Sequence, residues 1–95
     1  MMIVQVKFFT SLREITGKKT EDIQLQENAT INQLIKLLSG KHGKKFDHYI
    51  FNEQNKVQEF LSFLVNGQNI NNLNSFETAL KDGDVIAILP PVGGG

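Results

Sequence analysis

Ninety-five residues make a single domain, near the lower end of what one hydrophobic core supports without staples. Ten Lys+Arg balance ten Asp+Glu and hydrophobic residues make up 40%, a soluble globular composition with no global field to draw in nucleic acid or an anionic membrane. Cysteine is absent, which excludes a disulfide framework, a thiolate metal site and any thiol nucleophile of the chain's own. No apolar run approaches the ~20 residues that cross a bilayer, and no signal-peptide pattern opens the chain. The expected location is the cytoplasm.

Met2 to Phe9 alternates as a strand, with Val4, Val6 and Phe8 on one face and Gln5 and Lys7 on the other. Ser11 and Glu14 then stand at capping-box spacing for a short helical turn stopped by Gly17. Thr20 to Gln26 reads as a second strand. The strongest helix signal starts at Thr30, three residues before Gln33, with Ile31, Leu34, Ile35 and Leu38 on one apolar stripe and Gly40 or Gly43 as its end. Phe46, Ile50 and Phe51 suggest a further helical turn, and Asn52 to Lys56 a polar bend.

Phe60 to Val65 is a third strand, turned by the hairpin signal Asn66-Gly67 into a brief return strand around Gln68 to Ile70. Asn71 to Lys81 is an irregular connection, and Asp82-Gly83-Asp84 turns the chain into Val85 to Leu89. The order predicts an α+β domain, a mixed sheet of four or five strands packed on one main helix, with nothing to cover the second sheet face. Alternation then leaves Phe9, Phe60, Leu64 and Leu89 as an exposed apolar patch, and contiguous patches of that kind mark protein contacts.

Residues 1–89 therefore form the folded domain and residues 90–95 a flexible tail, Pro90-Pro91-Val92-Gly93-Gly94-Gly95. Proline lacks a backbone N–H and fixes φ, so Pro90-Pro91 ends sheet pairing and holds the exit extended. Glycine has no Cβ, so the last three residues suit a channel too narrow for side chains. Six extended residues span roughly 20 Å. A bare carboxylate on such a tether is an acyl handle for another enzyme.

Val6-Lys7-Phe8-Phe9, Leu12-Arg13-Glu14-Ile15-Thr16-Gly17, Val65-Asn66-Gly67, Leu80-Lys81-Asp82-Gly83-Asp84-Val85 and the Pro-Pro-Val-Gly-Gly-Gly end, in that order, resemble the MoaD/ThiS family of ubiquitin-like sulfur carriers. Within it the chain is most similar to the molybdopterin synthase small-subunit branch. The resemblance implies a β-grasp fold and a carrier role. An E1-like adenylating enzyme would use ATP to activate Gly95, sulfur would replace AMP to give a thiocarboxylate, and the carrier itself would bind no cofactor. The tail would then enter the molybdopterin synthase large subunit and deliver sulfur to cyclic pyranopterin monophosphate. Gly94 and Gly95 fall on the functional pair, and Phe9 and Leu89 on apolar partner contacts. Pro90, Pro91, Val92 and Gly93 belong to the inserted tail, and Arg13 falls on a family arginine expected to help docking.

Two features depart from the pattern: Gly93 stands where the family more often has Ser, Thr or Ala, and Ser39 to Glu59 is longer than in compact members, as among modifier-like relatives. A ubiquitin-like modifier joined to lysines through Gly95 is therefore the alternative, with carriers for thiamine or tRNA thiolation behind it and a plain interaction module as a third class. His42 and His48, among Lys41, Lys44 and Lys45, read as a solvated basic loop and not a metal site. Asp82 and Asp84 read as turn residues, not as an acid–base pair.

Overall fold

A computed structural model describes residues 1–91. Strand β1 (Met2–Phe8) leads through helix α1 (Ser11–Thr16) to β2 (Thr20–Leu25), then to helices α2 (Ile31–His42) and α3 (Lys44–Ile50). Strands β3 (Ser62–Val65), β4 (Gln68–Asn69) and β5 (Val85–Leu89) follow, with two short 3₁₀ turns, Ile70–Asn72 and Ser75–Glu77, between β4 and β5. The five strands form one mixed sheet in the order β2-β1-β5-β3-β4. β5 lies parallel to β1 and antiparallel to β3, so the last strand runs through the middle of the sheet.

The period-2 pattern of β1 places Val4, Val6 and Phe8 in the core, opposite Leu34, Ile35 and Leu38 of α2. Ile86 and Ile88 of β5 join them, and Phe46 and Ile50 of α3 close the core on the helix side. Each such side chain contributes roughly 1.5–3 kcal/mol through burial, the main term set against the chain's conformational entropy. Thr30 caps α2 as its spacing demands: its hydroxyl accepts from Gln33 N–H, and the Gln33 side chain accepts from Thr30 N–H.

Three expectations need correction. Helix α1 has no capping box on Ser11; its N-cap is Thr10, whose side chain makes no capping bond. Thr10 adopts φ 47° and ψ −114° because the chain reverses between Phe9 and Leu12, where Leu12 N–H bonds the Phe9 carbonyl at 3.0 Å. Phe60 precedes β3 instead of opening it, because the backbone turns there with Leu61 N–H on the Gln58 carbonyl. His42 is not in a solvated loop. It forms the last residue of α2, and its Nε2 lies 2.8 Å from Oε1 of Glu21, a carboxylate only 2% exposed.

Lys41 pairs with the same carboxylate, and Lys18 reaches it at 3.4 Å. The His42 ring also packs between Phe8 and Phe46, with centroids 6.0 and 5.8 Å away. Burial works to raise the Glu21 pKa, but the hydrogen bonds and charges of Lys41 and His42 outweigh it and hold the carboxyl below its ordinary value.

The hairpin and the acidic turn behave as turn chemistry predicts. Asn66 and Gly67 take φ 50° and 84°, the left-handed pair a tight two-residue hairpin requires. Asp82 Oδ1 accepts from Ile3 N–H at 2.8 Å, and Asp84 accepts from Lys81 N–H and from the Asn66 side chain. Both carboxylates are thus spent on tying the turn before β5 to its neighbours.

Candidate functional site

The helices cover one face of the sheet and leave the other open. On that outer face the register sets Lys7 of β1, Ala87 of β5 and Leu64 of β3 in one row. One step nearer the end of β5, Leu89 pairs with Ser62, and Phe9 follows the Phe8–Ile88 pair on the other side. Phe9, Leu64, Ala87 and Leu89 are all half-buried, so the row is an apolar strip open to solvent. Pro90 and Pro91 leave directly from its edge. Val92, Gly93, Gly94 and Gly95 lie outside the described residues.

Arg13 is fixed beside this strip. Its Nε donates to the Phe8 carbonyl at 3.0 Å, and its guanidinium lies 5.4 Å from the centre of the Phe9 ring. Cation–π packing and the hydrogen bond together orient Phe9 while leaving the arginine exposed. The strained Thr10 turn holds both residues in place.

Phe60 stands apart from Phe9, Leu64 and Leu89. It is 44% exposed, and its ring meets Tyr49 of α3 edge-on at 6.0 Å, which turns it toward the helix layer. Reading the sequence missed Thr10, because nothing in a β-branched residue announces a left-handed backbone. Among the described residues, no three His, Cys, Asp or Glu side chains are placed to hold a metal ion. Among them also, no helix is long and apolar enough to cross a membrane.

A mixed sheet in the order β2-β1-β5-β3-β4, grasping one main helix and ending on its central strand, defines a ubiquitin-like β-grasp domain. The ThiS family model matches residues 6–95, and the chain belongs to that family of ubiquitin-like sulfur carriers. It is 30% identical to small archaeal modifier protein 3 of Haloferax volcanii, over 99% of this chain and 100% of that one. It is 29% identical to the molybdopterin synthase sulfur carrier subunit of Drosophila yakuba, over 97% of this chain and 90% of that one. The solution structure of small archaeal modifier protein 1 from Methanosarcina acetivorans superposes with a TM-score of 0.85 at 33% identity, covering 100% of this chain and 98% of that one.

Proposed function

We propose that the chain is a sulfur carrier activated at Gly95 and that it serves as the small subunit of molybdopterin synthase. An E1-like enzyme joins the Gly95 carboxylate to the α-phosphate of ATP, releasing pyrophosphate, and a sulfur nucleophile then displaces AMP to leave a thiocarboxylate. Adenylation is needed because a carboxylate is a poor acyl donor. The carrier supplies no acid, base or nucleophile; it supplies the handle and a docking surface of Phe9, Arg13, Leu64 and Leu89, from which Phe60 is turned away toward Tyr49. Pro90 to Gly95 form the segment that enters the partner, and the thiocarboxylate passes sulfur to cyclic pyranopterin monophosphate in the large subunit.

The observation that carries this reading is the family match running through Gly95, in a fold whose central strand delivers the tail from the edge of an open apolar strip. The Drosophila yakuba relative, a molybdopterin synthase sulfur carrier subunit, supports the acceptor.

A second reading has its own support. The near-complete alignment with a small archaeal modifier protein favours conjugation of Gly95 to lysines. One experiment separates them: incubation with ATP, the activating enzyme and a sulfur donor, followed by intact mass and a denaturing gel. Exchange of one terminal oxygen for sulfur, and sulfur transfer to cyclic pyranopterin monophosphate once the large subunit is added, support the carrier. Covalent adducts on other proteins without that transfer support the modifier. An unchanged mass together with no adducts on the gel, with a competent enzyme, rules out both.

A further inference from the structure

Resting on the carrier reading above, we infer that the end of the molecule from which Pro90 and Pro91 emerge is a cationic collar around the apolar strip, built for a protein partner whose docking surface is apolar at its centre and rimmed by carboxylates. The net charge is zero, yet the charges are sorted by end. β1 and β5 are parallel, so Phe9 and Leu89 reach the same end. β2 is antiparallel to β1 and starts there, which brings Lys18 and Lys19 beside Lys7, the Cα partner of Thr20. Arg13 is anchored to the Phe8 carbonyl at this end.

The Glu21–His42 contact draws the last turn of α2 to the same place. Lys41 comes with it, and Lys44 and Lys45 follow immediately as α3 begins. Lys18 and Lys41 spend their charge on Glu21. Among the described residues, no carboxylate pairs with Lys7, Arg13, Lys19, Lys44 or Lys45. Glu14, Asp22, Asp47 and Glu59 are acids on or beside the same elements, Asp22 next to Glu21 on β2, and Asp47 already accepts from Ser39.

The opposite end has the reverse sign. Asp82 and Asp84 form its turn, Glu27 sits 3.5 Å from the N-terminal amine, and Glu77 closes the 3₁₀ turn beside the start of α2. Among the described residues, Lys81 and the Met1 ammonium carry positive charge there. A molecule polarised in this way approaches an acidic surface tail first, and the steering fades over a Debye length of about 8 Å at physiological salt. The apolar strip argues for a protein and against a polynucleotide, which binds through stacking platforms. Phe9 is the one aromatic ring on the strip, and Arg13 already packs on it.

The test compares two double charge reversals of equal net charge. K19E/K45E strips the collar, while K36E/K81E changes exposed lysines outside it. The probe is the E1-like adenylating enzyme, assayed by ATP–pyrophosphate exchange with the full chain at about 20 mM and about 300 mM NaCl, salt levels that bracket strong and weak screening. K19E/K45E should raise the KM for the carrier about tenfold at low salt with kcat unchanged, the gap closing at high salt, while K36E/K81E stays within about twofold. Equal KM shifts in both variants, or a KM insensitive to salt, overturn the collar.

A second arm needs no enzyme: the ¹⁵N-labelled chain is titrated with poly-L-glutamate and, separately, with polyuridylate. Amide shifts confined to Phe9–Lys19 and His42–Lys45 with poly-L-glutamate support the collar. Scattered shifts, or tighter binding of polyuridylate, overturn the assignment. Should the wild-type chain give no exchange at all, the carrier reading falls while this titration still decides the collar.

Discussion

Thr10 and Glu21 show how single residues carry more than their type suggests. Thr10 holds φ 47° in a region that costs a β-branched residue about 1–3 kcal/mol, and its hydroxyl makes no capping bond in return. Thr10→Gly should therefore stabilise the fold by about 1 kcal/mol after glycine's extra chain entropy is counted, read as a higher urea midpoint at unchanged m-value. Glu21 behaves oppositely. Its folded pKa lies below the ordinary 4.5, so its stabilisation is complete above that value and is lost as pH falls through the folded pKa. Glu21→Gln should cost about 2 kcal/mol at pH 7, less than a fully buried pair because Lys18 and Lys41 keep half their surface in water. Denaturant titrations from pH 3 to pH 7 should show the variant's stability flattening where the wild type's still climbs. Neither behaviour was legible beforehand: the Glu21–His42 contact joins residues 21 apart, and no local pattern links them.

At the scale of elements the chain was far more readable, because turns and caps are written locally. The Thr30–Gln33 box, the Asn66-Gly67 hairpin and the Asp-Gly-Asp turn all form as their residue types require. Ser11 and Glu14 carry the same spacing as Thr30 and Gln33 but form no box, since the reversal at Thr10 moves the helix start one residue earlier. Phe60 is exposed as strand alternation predicts, but it lies two residues before pairing begins and meets Tyr49 instead of the open sheet face. Asn66 deserves a direct test: it donates to Asp84 and accepts from Val85 N–H at 2.9 Å each, binding the hairpin to the start of β5. Asn66→Ala should cost about 2 kcal/mol, combining a strained left-handed backbone with two lost hydrogen bonds, and thermal melts would show it. Asn66→Gly should cost less, because it keeps the turn and loses only the bonds.

For the whole molecule, the sheet's two faces divide stability from contact. The helix side holds the large buried residues, and the open side holds the half-buried Leu64, Ala87 and Leu89. Leu64→Glu should leave the circular dichroism spectrum unchanged and move the urea midpoint by less than about 1 kcal/mol. It should nonetheless raise the KM in the adenylation assay, and an unchanged KM would remove Leu64 from the docking surface. The open face was readable from the missing second layer of helices. The sorting of charge by end was not, since it emerges only when antiparallel β2 and the end of α2 meet beside the exit.

The placement of β5 also has a mechanical meaning. Any load drawn through the tail while the opposite terminus is held pulls β5 lengthwise against its parallel neighbour β1, so their ladder of bonds must shear together instead of unzipping singly. Forced opening of this kind is governed by the unfolding rate. A partner that tugs on the glycines while the amino terminus is held therefore loads this ladder in shear.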